Sequence, residues 1–310
     1  MSDTFQRVLV IGGGGFIGRK VVAAFLATDA QVHVLDMMPA DRDDVEWTVG
    51  SVSDLSLVAA TASGCDTVIF LANSSLPGSS QANLSAEIGS HVMVSIAAAE
   101  TCSSVGVRTF VFASSGGTVY GHSPALGTGL SEGDPTRPIN AYGASKLSIE
   151  HYLRLLSDLR PMCSVSLRIS NPYGEGQRAA RGQGIIAAAM QHTVAGTPMT
   201  IWGDGTAERD FLHVGDVAQA FVAAARYRGP EKVFNIGSGT SRSLRDVLDA
   251  VQAATGRQIE ILYAPGRTVD VQRNRLEIGL ARRELGWGPA VGLEEGLRRT
   301  AAWWLAPRGS

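Results

Sequence analysis

Residues 8 to 25 read VLVIGGGGFIGRKVVAAF and set four glycines between a β-like run and a helix-like run. Val8 to Ile11 are β-branched or aliphatic and suit a buried parallel strand, while Ile17, Val21 and Phe25 recur at helical spacing. A strand that enters a helix N-terminus through glycines is the opening unit of a doubly wound sheet. There the backbone can turn tightly and approach a pyrophosphate, whose charge is met by unpaired N–H groups and the positive end of the helix dipole. The glycines allow two registers. Gly13, Gly15 and Gly18 spell GxGxxG, whereas Gly12, Gly15 and Gly18 spell GxxGxxG, and both describe a dinucleotide cradle.

A flexible glycine turn would ask nothing of its neighbours, but the next strand, QVHVLD, ends at Asp36, eighteen residues past Gly18. That is close to the ~20-residue offset at which an acid takes the adenosine ribose hydroxyls. It favours NAD over NADP, because a carboxylate repels a 2′-phosphate and Met37 and Met38 stand where arginines would welcome one.

Strand-like runs RVLVI, QVHVLD, TVIFLA, TFVFAS and SVSLRI alternate with helical stretches such as 90 to 100 and 142 to 159. The alternation predicts an α/β fold, a Rossmann-type doubly wound parallel sheet. After about residue 170 the pattern loosens into NPYGEGQ and IWGDGTAERD, then the shorter pieces VFNIG and IEILY, which reads as a smaller C-terminal substrate-binding lobe. The expected division is 1–170 for the dinucleotide domain, with later segments returning to it, and 171–310 mainly for the lobe. A chain of 310 residues is long enough for that arrangement.

The net charge of −2 provides no global field to attract nucleic acid or an anionic membrane. No apolar run approaches the ~18 residues of a membrane helix, and no charged-then-apolar leader opens the chain, so the expected location is cytoplasmic. Cys65, Cys102 and Cys163 are widely spaced and read as reduced core thiols. His33, His122, His151, His192 and His213 lack metal-ligand spacing, so no metal is expected. Trp287, Trp303 and Trp304 read as packing residues.

Ligands of doubly wound sheets sit beyond the carboxyl ends of the strands. Those places hold SSGGTVYG at 114 to 121, YGASK at 142 to 146 and LRISNPYG at 167 to 174. Tyr142 and Lys146, four apart, are neighbours on one helix face. A lysine ammonium and the positive nicotinamide of NAD⁺ both favour phenolate, so Tyr142 is expected to have a lowered pKa and to act as a base near neutral pH. A hydroxyl from the 114 to 118 loop would position the substrate oxygen. A solvated Tyr/Lys pair occurs on many helices; a serine-rich strand end behind a glycine cradle is what separates this pair from those.

On these residues the chain resembles the extended short-chain dehydrogenase/reductases of the NAD-dependent epimerase/dehydratase family, from the first strand to LGWGP near the C-terminus. The resemblance implies Tyr142 as catalytic acid/base, Lys146 as its partner and ribose anchor, and Asp36 as the adenosine-ribose acid. Cofactor contacts are expected from Gly12, Gly15, Phe16, Ile17, Gly18, Asp36, Ser51, Val52, Leu71, Ala72, Tyr142 and Lys146. Nucleotide-sugar contacts are implied for Asn171, for Arg209 in ERDF on the diphosphate, and for Arg267 and Asp270 in GRTVD. Arg178 and Arg181 read either as diphosphate contacts or as solvated loop charges. VFNIGSGTSRSL is similar to the family segment near the nucleoside. The resemblance also implies a homodimer paired through helices near 90 to 102 and 142 to 159.

Several residues depart from the family pattern. Ile11 replaces a usual threonine, and Ser51 stands where an adenine-binding Asp is common, although Asp54 is present. His91 stands where an Asn is usual. Gly116 occupies the place of the catalytic Ser or Thr, which passes the hydroxyl role to Thr118 or Ser115, with Thr118 preferred.

The reaction implied is reversible 4-epimerisation of a nucleotide-diphosphate sugar, UDP-linked, with NAD⁺ kept bound. The sugar is a hexose, an N-acetylhexosamine or a uronic acid, and Asn274, where a bulky tyrosine would exclude N-acetyl groups, permits an acetamido sugar. A 4,6-dehydratase needs an Asp-Glu pair where this chain has Gly117 and Thr118. A reductase would more naturally use NADPH, which Asp36 opposes. A non-catalytic dinucleotide sensor would not need the Tyr142/Lys146 pair.

Overall fold

The first strand carries Val8, Leu9, Val10 and Ile11 to 1 % exposure or less, the continuous apolar run of a strand covered on both faces. The computed structural model describes residues 7–39, 42–73, 80–122, 129–179, 184–266 and 271–306. Its first part runs β1 (Arg7–Ile11), α1 (Phe16–Leu26), β2 (Gln31–Asp36), β3 (Glu46–Val49), α2 (Leu55–Ala62), β4 (Thr67–Phe70), α3 (Leu84–Glu87), α4 (Val94–Ser104), β5 (Thr109–Ser115), α5 (Ala141–Leu159) and β6 (Cys163–Ile169). It continues with β7 (Asn171–Tyr173), α6 (Ile185–Ala195), β8 (Met199–Trp202), β9 (Glu208–Arg209), β10 (Phe211–His213), α7 (Val214–Arg226), β11 (Val233–Ile236), β12 (Arg242–Ser243), α8 (Leu244–Thr255), β13 (Ile261–Ala264), α9 (Gly279–Glu284) and α10 (Leu293–Leu305).

Seven strands form one parallel sheet in the order β3-β2-β1-β4-β5-β6-β11. The order in which strands are added reverses between β1 and β4, which opens the crevice where such sheets bind dinucleotides. Alternate residues feed two cores. Val8, Val10, Val34, Ile69 and Val111 pack on one face with Val21 and Phe25 of α1 and Val217 and Phe221 of α7. Leu9, Ile11, Leu35, Phe70, Phe110 and Phe112 pack on the other with Val58 of α2, Ala98 of α4 and Ile149 and Leu153 of α5.

Three elements differ from the sequence reading. VFNIG, grouped above with the later pieces, is β11, the edge strand beside β6, with Phe234 and Ile236 fully buried. β3 was not foreseen because a short edge strand with an exposed, unalternating pattern leaves little periodic signal. The helix expected over 90 to 100 is also irregular, since α3 passes through a π-helical turn, Ile88–Met93, before α4.

A separate core joins α6, α8 and α10 through Ile186, Met190, Val247, Leu248, Val251, Leu297 and Trp304. Beside it lie three short ladders, β7 with β10, β8 with β13, and β9 with β12. The tryptophans pack as read, Trp287 also donating its Nε1–H to Asp216 O at 3.0 Å. The three cysteines are free; burial pushes the Cys65 thiol up to about 11 and Cys102 up to about 12, so both stay protonated.

Candidate active site

The cradle is built by close approach of backbones. Gly12 leaves β1 at φ +88°, and a Cβ there would meet Ala72 N at 2.9 Å, just past the end of β4. Leu71 closes the same corner, its N–H donating to Ile11 O at 2.9 Å. A Cβ on Gly18 would lie 2.2 Å from Gly12 O, whereas one on Gly15 would meet only that oxygen, at 3.5 Å. Gly12 therefore makes the turn, Gly18 lets helix and strand pack, and Gly15 keeps the loop's outer face clear. This resolves the register in favour of Gly12, Gly15 and Gly18. Gly13 instead packs on Val34.

The fourth glycine reaches the acid. Gly14 N–H donates to Asp36 Oδ2 at 2.8 Å, Met38 N–H donates to Oδ1 at 2.9 Å, and a Cβ on Gly14 would sit 3.1 Å from the carboxylate. Met37 and Met38 are exposed and bring no cation to this end. Phe16 and Ile17 open α1, whose N-cap Gly15 supplies no side-chain cap and whose first turn holds no acid. Its N–H groups are thus left for an anion, and the glycine cradle fits a pyrophosphate. Ser51 and Val52 follow β3; Ser51 Oγ accepts the N–H of Ser53 at 3.2 Å, and Asp54 caps α2 through Leu57 N–H at 3.1 Å.

Across the crevice α5 begins at an Asn140 cap that accepts Gly143 N–H at 2.8 Å, a device worth ~1 kcal/mol. Tyr142 N–H donates to Ser80 Oγ at 3.1 Å. A Cβ on Gly143 would meet Thr118 O at 2.7 Å, so this glycine lets the 116 to 118 loop cross the first turn of α5 beside Tyr142. Lys146 is buried, donates to Ala113 O at 2.9 Å, and holds its Nζ 5.4 Å from the Tyr142 ring centroid.

The protein's own groups do not supply the lowering expected for Tyr142, an expectation that counted the nicotinamide charge together with Lys146. Burial pulls Lys146 down to about 7 against the raising influence of Glu87 and Glu150, so its field on the phenol is only partial. Burial and then the Glu87 carboxylate push the Tyr142 phenol up, not down. For each of the two side chains desolvation is the largest influence.

The hydroxyl loop follows β5. Ser115 is half-buried, and Thr118 Oγ1 is enclosed without a hydrogen-bond partner. A Cβ on Gly116 would meet Leu276 Cδ1 at 2.5 Å and Arg168 O at 2.9 Å, so the place of a serine side chain is already filled. Asn274, 1 % exposed, donates from Nδ2 to Gly116 O at 3.0 Å and keeps Oδ1 without a partner, as Ser170 does its Oγ. Thr118 Oγ1, Asn274 Oδ1 and Ser170 Oγ are thus enclosed without a protein partner near the ends of β5 and β6.

Behind the site runs a buried network that sequence reasoning missed. Glu150, one turn past Lys146, accepts from Ser114 Oγ and from Arg168 Nη2 at 2.8 Å; Arg168 Nη1 donates to Tyr120 OH at 2.9 Å, and Tyr120 OH to Asn235 Oδ1 at 2.7 Å. It ties α5 to β5, β6 and β11. Its only sequence signal was the i, i+4 placement of Glu150 after Lys146.

The lobe side is organised by Asp210, also missed. Fully buried, it accepts from Ser238 N at 2.7 Å, Ser238 Oγ at 2.8 Å and Leu276 N at 3.2 Å, pinning the GSGT turn and the 274 to 276 segment together. Asn171 donates from both N and Nδ2 to Asp210 O, at 2.9 and 3.0 Å, and Arg209 donates from Nη1 to Glu208 O at 2.9 Å. Arg178 is exposed. Arg181, Arg267 and Asp270 lie outside the described residues. Among the described residues no group of His, Cys, Asp and Glu could hold a metal, and no helix is long and apolar enough to cross a membrane.

A parallel sheet with a glycine cradle at its switch point, facing a Tyr/Lys helix, defines a dinucleotide-dependent enzyme. The sequence pattern of the NAD dependent epimerase/dehydratase family matches residues 8–237. The chain belongs to that family, and its cofactor is NAD. It is 34 % identical over 306 residues to UDP-glucose 4-epimerase of Mycolicibacterium smegmatis, covering 95 % of this chain and 97 % of that one. It is 32 % identical over 312 residues to dTDP-4-dehydro-6-deoxyglucose reductase of Escherichia coli, covering 96 % and 97 %. The crystal structure of UDP-glucose 4-epimerase from Thermus thermophilus in complex with NAD superposes with a TM-score of 0.88 at 32 % identity, over 96 % of this chain and 99 % of that one.

Proposed function

We propose that the protein is a 4-epimerase of a nucleotide-diphosphate sugar, UDP-linked, working in the cytoplasm with NAD kept bound. The observation that carries this reading is the seat of Tyr142 and Lys146 on α5 beside the Ser115 to Thr118 loop, with Gly117 and Thr118 where a dehydratase needs its acidic pair. NAD, when bound, supplies a hydride acceptor and donor for C4 of the sugar together with a positive charge. Tyr142 takes the proton of the 4-hydroxyl and returns it to the 4-keto oxygen. Burial and Glu87 keep the phenol protonated in the cofactor-free protein, so its service as a base draws on the positive charge of bound NAD and on Lys146, which anchors the ribose and biases the phenol toward ionisation when it is charged. Thr118, ahead of Ser115, orients the sugar oxygen. Asp36 holds the adenosine ribose, and Ser51 and Val52 line the adenine side.

Residues 171–310 mainly form the nucleotide-sugar lobe in this reading, with Asn171, Arg209, Arg267 and Asp270 holding the substrate. The sugars to test are UDP-hexoses, N-acetylhexosamines and uronic acids. A homodimer is supported by apolar side chains left exposed on the two expected helices, Met93 on one and Tyr152, Leu155 and Leu159 on the other. Sedimentation at micromolar concentration that finds a monomer would refute it.

The reductase named among the relatives favours a second reading, reduction of a 4-keto sugar. One experiment separates the two. A substrate deuterated at C4 keeps its label in the epimeric product, without added reductant, if the protein epimerises. Label washout, or product formed only with stoichiometric NAD(P)H, removes that reading. In either case Tyr142→Phe should fold, retain NAD and lose several orders of magnitude in turnover.

A further inference from the structure

The helix leading to β5 widens at one place. α3 passes through the π-helical turn Ile88–Met93 before α4 begins, and such insertions recur at functional sites. The turn sends His91 and Val92 inward, to 2 and 8 % exposure, and leaves Ile88 and Met93 outside. His91 comes to rest against Tyr142, with ring centroids 6.3 Å apart and planes inclined by 27°, an offset stack.

The backbone of Tyr142 is already held by Ser80 Oγ, by the Asn140 cap and by Thr118 against Gly143. What is left to fix is the direction of the phenol, which depends on two side-chain torsions. Lys146 Nζ, 5.4 Å from the ring centroid, and the buried Glu87 carboxylate, four residues before His91, supply charge there but no flat surface.

We infer that His91 is a positioning residue whose ring face holds the Tyr142 phenol toward the reacting sugar hydroxyl, an inference that rests on the acid/base role proposed for Tyr142. The stack asks for a flat, neutral ring. Burial and then Lys146 hold the imidazole pKa down to about 3, so it stays uncharged across the working range. Planarity is the property through which the ring face acts on the phenol. Phenylalanine at 91 should serve and asparagine should not.

The test uses the full chain with NAD and compares His91→Phe, His91→Asn and His91→Ala. With six tyrosines in the chain, ring-¹³C-labelled tyrosine gives a readable NMR spectrum, and the Tyr142 signal is assigned by its loss in Tyr142→Phe. In His91→Ala the Tyr142 resonance should shift as it loses the imidazole ring current, and its ring should flip faster. Its kcat should fall roughly 10- to 100-fold, the cost of a small misplacement of a reacting group. KM should stay within about twofold, the mark of an interaction used in the transition state only. His91→Phe should restore slow flipping and bring kcat to within about threefold of the parent, and His91→Asn should behave like alanine. Unchanged flipping or kcat in His91→Ala overturns the inference, as does rescue by asparagine and not by phenylalanine. Should the alanine variant fail to fold, the contrast between Phe and Asn decides alone. A fully active Tyr142→Phe would instead remove the acid/base reading, and the NMR comparison separates that failure from this one.

Discussion

Gly18→Ala and Gly15→Ala place the same methyl group on two glycines of one loop and should have opposite consequences. At Gly18 the new carbon would lie 2.2 Å from Gly12 O, 2.7 Å from Gly13 Cα and 2.8 Å from Gly13 C. Ordinary contact needs about 3.5 Å, so the loop or α1 must retreat by about 1 Å. The atoms met are backbone atoms, and no side chain can swing away to relieve them. Overpacking of this kind costs ~1–3 kcal/mol, which for a chain of this size lowers Tm by roughly 2 to 5 °C. The same retreat moves the N–H groups of the α1 N-terminus away from the pyrophosphate, so the variant should purify with little NAD. At Gly15 the added carbon meets only Gly12 O, at 3.5 Å, and the free protein has nothing to relieve. Gly15→Ala should melt within about 1 °C of the parent, as surface changes do, yet bind NAD more weakly because its methyl occupies the face the cofactor approaches. Thermal unfolding of NAD-stripped protein and calorimetry with NAD measure both effects. An unchanged Tm in Gly18→Ala, or an equal destabilisation in Gly15→Ala, would refute the assignment of roles within the loop.

Lys146→Met should abolish turnover while stabilising the fold below pH 7. With its folded pKa near 7 and its unfolded value at 10.5, Lys146 binds fewer protons in the folded state between those limits. Stability of the parent therefore rises with pH across that window, and the advantage of methionine shrinks from pH 6 to pH 9.5; equal Tm differences at the two pH values would contradict this. Gly116→Ser should not improve catalysis but should destabilise by ~1–3 kcal/mol, because Leu276 and Arg168 O fill its space; adding Leu276→Ala should recover part of the loss, and a stable, faster single variant would disprove the steric account. Asp36→Ala should weaken NAD binding and narrow its preference over NADP, since it removes a carboxylate that repels a 2′-phosphate and that orders the backbone N–H groups of Gly14 and Met38; affinities for the two cofactors left in their original ratio would count against that role.

Much of this site was legible in the sequence, for reasons of spacing along the chain. A strand, three glycines, a helix and an acid at the end of the next strand lie within Val8 to Asp36, and Tyr142 and Lys146 lie one helical turn apart. Regular backbone converts such intervals into fixed distances, so the glycine turn, the acid that meets it and the Tyr/Lys face could be read before any fold was known. What tertiary structure decided depends on residues distant in the chain. The register of the glycines rests on Ala72 packing over Gly12, and the empty side-chain position at 116 rests on Leu276. The direction of the Tyr142 pKa shift rests on Glu87 and on burial, and the bracing of its helix rests on Arg168, Tyr120 and Asn235. Steric contact and desolvation act through space at a few ångströms, and a linear spacing rule cannot report which remote residue will arrive there.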